Sequence, residues 1–235
     1  MTARPRVGLL GGTFDPIHLG HLAAARAAQH VLDLNTVRLL VSARPPHRPD
    51  SPRASEYHRL EMLRLAVADA AADGGARLEV SDLELERAGP SFTFDTLRTL
   101  HAEGLTPLQI VFITGADAFA EIETWHRYPD VLDAAHFAVL ARPGTTLTTL
   151  SARLPALASR MTTADVLDQT TTTRIILVDC KTPDVSSTAI RARASRGESL
   201  DGMVSPSVAA YIAQNHLYRT APNAPVAPVA PRSSR

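Results

Sequence analysis

The chain has 235 residues, with 24 Lys+Arg against 24 Asp+Glu, so its formal net charge is zero. That balance supplies neither the basic stripe of a nucleic-acid binder nor an electrostatic footprint for an anionic membrane. The composition is 45% hydrophobic and 20% charged with one cysteine, which fits a globular protein and excludes both an internal disulfide framework and a membrane-spanning run.

In chain order, Arg6–Leu10 is a short apolar run closed by Gly11-Gly12 and predicts a first strand. Leu19–Leu32 has apolar or small residues at helical spacing (Leu22, Ala25, Ala28, Val31, Leu32). Thr36–Ser42 predicts a second strand, and Ser55 caps a helix running to about Ala72. Arg77–Val80 and Asp82–Leu85 predict short strands, and Thr93–Ala102 a helix. Leu108–Thr114, His136–Ala141 and Thr173–Val178 predict three further strands. Thr145–Thr172 is Thr-rich and weakly patterned, which suits a surface helix with loops. Helices over Ser187–Ser195 and Ser205–Gln214 close the domain, which spans residues 1–219. From Thr220 to Arg235 the chain has proline at 222, 225, 228 and 231 and no periodicity, so a disordered tail is expected there.

The longer strands are apolar on successive residues, so both of their faces must be covered. That is the pattern of an α/β, doubly wound parallel sheet between helix layers. The opening segment MTARPRVGLLGG has too short an apolar stretch for a signal peptide, so a cytoplasmic protein is expected.

The first strand-to-helix turn reads Gly11-Gly12-Thr13-Phe14-Asp15-Pro16-Ile17-His18-Leu19-Gly20-His21. It lies where a doubly wound sheet opens its ligand crevice. It is neither a dinucleotide GxGxxG nor a P-loop, since it has no lysine. Gly11 and Gly12 let backbone approach a ligand. His18 and His21 share one face at a helix start, where phosphate is favoured. Gly20 removes a side chain where a flat base would lie. Zinc ligation by the two histidines would need two more ligands, and the lone cysteine is far along the chain. Only Lys181 is lysine, so if phosphate is bound, arginine and histidine must do most of the binding. Ser186, Ser187 and Thr188 cluster at another helix start, with Arg191 one turn in.

The GGTFDPIHLGHL string resembles the HxGH signature of the nucleotidyltransferase superfamily, and its fuller form is similar to the bacterial nicotinate-mononucleotide adenylyltransferase family. Pro45-Pro46-His47-Arg48, Gly89–Leu97, Ile113–Asp117, Thr124-Trp125-His126, Ala141–Gly144 and Val185–Arg191 resemble further family segments in the same order. Phe92 stands where tyrosine is usual, and His126 where some members carry tyrosine.

The resemblance implies a Rossmann-like nucleotidyltransferase fold. It also implies adenylyl transfer from ATP to nicotinate mononucleotide, a step of NAD biosynthesis, with Mg²⁺ carried on ATP. It makes His18, His21 and Arg191 catalytic. It places ATP at Gly11, Gly12, Thr13, Phe14, His18, Gly20, His21, Ser186, Ser187, Thr188 and Arg191, under a triphosphate lid of His47 and Arg48. It places the pyridine nucleotide at Asp15, Thr93, Phe94, Gly115, Asp117, Trp125, His126 and Arg142. The alternatives are the same chemistry on nicotinamide mononucleotide or phosphopantetheine, or a non-catalytic nucleotide-sensing module. No nucleic-acid or membrane partner is expected, and a homo-oligomer stays open.

Overall fold

The computed structural model describes residues 5–45, 51–74, 77–141, 147–179 and 182–219. Among these, the strands are β1 (Val7–Gly12), β2 (Thr36–Val41), β3 (Leu78–Ser81), β4 (Ile110–Gly115), β5 (His136–Ala141), β6 (Met161–Thr162) and β7 (Ile175–Asp179). The α-helices are α1 (Leu19–Val31), α2 (Glu56–Ala72), α3 (Thr93–Ala102), α4 (Ala116–Phe119), α5 (Leu147–Arg153), α6 (Ser187–Ser195) and α7 (Pro206–Gln214).

All strand pairings are parallel, in the order β3-β2-β1-β4-β5-β7-β6. Successive residues of each central strand feed opposite cores. Leu10, Leu39, Val111, Ile113, Ala138 and Ile176 pack with α1, α2, α6 and α7. Leu9, Leu40, Phe112, Phe137, Val139 and Ile175 pack with Leu97, Leu100, Phe119 and Leu150 on the other face. This two-sided burial is why those strands read as unbroken apolar runs.

Two expectations fail. Asp82–Leu85 is a turn, because the Asp82 carbonyl accepts from Leu85 N at 2.7 Å and from Glu86 N at 3.3 Å. Its alternating Leu83 and Leu85 mimic a strand, but Asp82 opens a local turn. The two-residue strand β6 lies inside the stretch read as surface helix and loops; it pairs Met161 with Ile175 and Thr162 with Ile176. The expected tail, the His47 and Arg48 lid and Arg142 lie outside the described residues. No helix among the described residues is long and apolar enough to cross a membrane.

From β1 the chain runs outward to β2 and β3, then returns as β4 on the opposite side of β1. A crevice opens at such a reversal, outside the carboxyl ends of the two strands. Gly11 and Gly12 end β1, and Gly115 ends β4.

Candidate active site

The β1–α1 loop is shaped by contacts among its own side chains. Phe14 is buried and left-handed, with φ of 47°. Its ring covers Gly12 so closely that a Cβ there would stand 2.8 Å from it. Only glycine fits that position without displacing the ring. The same ring meets His21 edge-on, with centroids 5.1 Å apart. His21 in turn stacks on His18, at 3.7 Å between centroids. A Cβ at Gly20 would come within 3.0 Å of the His18 ring and 3.5 Å of the Pro183 carbonyl oxygen. Gly20 thus gives room to His18 rather than leaving an open shelf for a base. Gly11 is less constrained, its would-be Cβ meeting only Phe112 at 3.8 Å.

His18 is the N-cap residue of α1, in extended backbone conformation. Its backbone N–H donates to Nδ1 of His21 at 3.3 Å. In a neutral His21 ring this fixes the proton on Nε2. The His18 imidazole is 8% exposed, and burial depresses its pKa to about 4. The ring is neutral at physiological pH. Its Nδ1 is buried and has no hydrogen-bond partner among the described residues. A buried polar atom without a partner costs stability unless something else satisfies it. Here it sits at a helix N-terminus, where an anion is stabilised.

Helix α6 is fastened to the same loop. Ser186 caps it, accepting from Ala189 N at 3.2 Å. Ser187 Oγ donates to the Pro16 carbonyl at 3.0 Å. Arg191 donates to the Asp15 carbonyl at 2.8 Å and to Thr188 Oγ1 at 3.2 Å. These bonds use two of the five N–H donors of a guanidinium, leaving capacity for an anion. The structure therefore brings His18, His21, Ser187, Thr188 and Arg191 to one loop.

A second group gathers beside it. Ser91 Oγ accepts from Ala43 N at 3.0 Å and Arg44 N at 3.3 Å, which ties the entry of α3 to the end of β2. Phe92 stacks on His126 at 4.3 Å, and the Arg127 guanidinium lies 5.2 Å from the Phe94 ring centroid. The α3 entry and the 125–127 loop thus meet at this end of the sheet. Thr93 and Phe94 open α3, where the first N–H groups lack intrahelical acceptors. Trp125 is half-buried, edge-on to Phe112 at 5.9 Å and packed against Phe137 at 6.3 Å. Asp117 is exposed on α4, whose N-cap is Gly115.

Asp15 stands apart from these. It is 3% exposed. Its carboxylate accepts from Arg53 N at 2.8 Å, Ala54 N at 3.1 Å and the Tyr218 hydroxyl at 2.9 Å. It serves the loop internally. Among the described residues no group of three or more His, Cys, Asp or Glu side chains is placed to hold a metal ion.

The cytidylyltransferase-like family model matches residues 9–193. A probable nicotinate-nucleotide adenylyltransferase of Pseudomonas syringae pv. tomato is 41% identical over 95% of this chain and 98% of its own. One of Chromobacterium violaceum is 38% identical over 91% of this chain and 99% of its own. The chain belongs to the cytidylyltransferase-like family, in its nicotinate-nucleotide adenylyltransferase branch. The Plasmodium falciparum nicotinic acid mononucleotide adenylyltransferase complexed with NaAD shares the fold, with a TM-score of 0.69 and 16% identity over 92% of this chain and 98% of that one.

This adenylyltransferase also uses residues that sequence reasoning passes over. Arg59 of α2 is fully buried, and its Nη1 donates to the Thr13 carbonyl at 2.7 Å and the Ser42 carbonyl at 2.8 Å. It clamps the ends of β1 and β2 together from below. Burial lowers its pKa, and the nearby Asp15 and Glu56 carboxylates oppose that. In sequence it is one arginine on a helix with mixed polar and apolar positions, with no signal that it faces inward.

Proposed function

We propose that this chain transfers the adenylyl group of ATP to nicotinate mononucleotide, yielding nicotinate adenine dinucleotide and pyrophosphate, as one nucleotidyltransferase unit over residues 1–219. An oxygen of the acceptor's 5′-phosphate forms a bond to the α-phosphorus of ATP. The bond from that phosphorus to the bridging oxygen of the β-phosphate breaks in line, and pyrophosphate leaves with the electron pair. The nucleophile is already an anion, so no general base and no covalent intermediate are needed. What the protein supplies is alignment and charge stabilisation.

The observation that carries this reading is the buried, unpartnered Nδ1 of His18 at the N-terminus of α1. His18 and His21 hold the α- and β-phosphates, and Arg191 extends that grip towards the β/γ end with His47 and Arg48. The N-terminal amides of α3, at Thr93 and Phe94, read the pyridine carboxylate, a natural task for a helix start. The half-buried Trp125 offers a face to the ring. Mg²⁺ would enter with ATP as part of the substrate, carried on the triphosphate.

Pyrophosphate release tests the reading, with Mg-ATP and, in parallel, nicotinate mononucleotide, nicotinamide mononucleotide or phosphopantetheine. Fast turnover with the nicotinate acceptor is expected. Equal turnover with the amide would keep the chemistry and remove the carboxylate selectivity. Silence with all three would overturn the reading and favour a nucleotide-sensing module.

A further inference from the structure

The described chain ends next to where its chemistry begins. After α7 it passes through His216 and Tyr218, two non-glycine residues in the left-handed region with φ of 51° and 65°. For a bulky aromatic this is a strained conformation, maintained only where surroundings compel it. What it achieves is a reach back across 203 positions, setting the Tyr218 hydroxyl 2.9 Å from the Asp15 carboxylate.

Asp15 ties the β1–α1 loop to three other segments of the chain. Its carboxylate receives Tyr218 and the amides of Arg53 and Ala54, and its carbonyl receives Arg191. It directly follows Phe14, the ring that sets Gly12 and His21, and it precedes His18 by three residues. A rotation of Asp15 would therefore move both histidines and Arg191 together. Among the described residues Tyr218 is the one side-chain donor to that carboxylate, beside two backbone amides, and it comes from the far end of the fold. Burial and the neighbouring Asp15 charge raise its pKa far above the ordinary tyrosine range, so it stays a donor throughout the working pH range.

We propose that Tyr218 is a positioning residue for adenylyl transfer, holding Asp15 so that His18, His21 and Arg191 meet the phosphates in register. It touches no substrate; it acts through Asp15. The inference rests on the reading of the site given above.

The test is the Tyr218→Phe variant of the full chain, which keeps the ring and removes the hydroxyl. A 1 Å misplacement costs up to 10²-fold in rate, so kcat should fall roughly 10- to 100-fold. KM for ATP and for nicotinate mononucleotide should stay within about twofold, since the register of His18, His21 and Arg191 matters most for the charge that develops in the transition state. In an Asp15→Asn background the same change should have little further effect, because the two residues act as a unit. Thermal melting is run alongside, with Tyr218→Leu as the variant that also loses packing. Unchanged kcat in Tyr218→Phe would overturn the proposal. So would full additivity with Asp15→Asn, or a fall in kcat matched by loss of folded protein. Wild-type turnover tests the site reading separately, and the variant-to-wild-type ratio is read with whichever acceptor phosphate releases pyrophosphate.

Discussion

Two histidines sit at opposite ends of the sheet, and they are a matched pair in burial. His18 lies beyond the carboxyl end of β1 and is 8% exposed, while His136 begins β5 and is 1% exposed. Burial drives both pKa values down to about 4, with the Arg6 charge adding to the effect at His136. They differ in what their nitrogens do. His136 Nδ1 accepts from Arg174 N at 3.0 Å, and the ring is also engaged with the backbone at Leu108. His18 Nδ1 has no partner among the described residues. Burial and a shifted pKa therefore do not mark a site by themselves; what separates His18 from His136 is a buried ring nitrogen whose bonding capacity is left open. At one end of the sheet the buried ring is fully bonded within the protein, and at the other a buried ring nitrogen is left open among the described residues.

The widest separation between the two ends is expected in catalysis. His18→Ala should lower kcat by roughly 10²–10³, the cost of losing one preorganised donor to a developing charge. His136→Asn should leave kcat near wild type and reduce stability instead. Steady-state kinetics with thermal melting on both variants would check this, and a large kcat loss in His136→Asn would break the contrast.

The pH dependence of folding comes next. Both rings have folded pKa values below the unfolded value of 6.5. Above pH 6.5 neither state binds these protons, so the full stability is present. As pH falls from about 6.5 to about 4, the unfolded chain takes up protons that the folded chain refuses. Stability is lost across that window, by up to about 3 kcal/mol for each ring. Urea denaturation at several pH values should show the fall, and His136→Asn should remove the share due to that ring. A slope unaltered by the substitution would contradict the assignment.

The smallest expected effect separates two adjacent glycines. Gly12→Ala places a Cβ 2.8 Å from the Phe14 ring, so it should cost about 1–3 kcal/mol and slow turnover by displacing His21. Gly11→Ala meets only Phe112 at 3.8 Å and should fold as wild type. Melting curves for the two variants would sharpen the account of which glycine shapes the loop.

Much of this architecture is legible in the sequence because its signals are local. Helix α3 and strand β5 occupy the predicted Thr93–Ala102 and His136–Ala141, and α6 follows its Ser186 cap over the predicted Ser187–Ser195. The unbroken apolar strands announce the two covered faces. The HxGH turn announces the crevice. What escapes is long-range. Glu84 looks like the polar half of a strand alternation, yet it is 6% exposed and accepts from Thr96 Oγ1 at 2.8 Å. Strand β6 has two residues, too few for a period. Arg59 and Tyr218 carry ordinary local contexts, and only the folded chain brings them to Thr13 and Asp15. Asp15, which the resemblance places at the pyridine nucleotide, also accepts from three donors of the chain itself, a network with no local signal.

The most direct test of the contrast between the two ends is a proton titration of the histidine rings by NMR, with and without a non-hydrolysable ATP analogue. His18→Gln and His136→Asn variants would assign the two signals. In the free protein both rings should titrate near pH 4. On adding the analogue the His18 pKa should rise, because a phosphate anion stabilises the charged ring, while His136 stays where it was. An unmoved His18, or a shift at His136 in its place, would contradict the account.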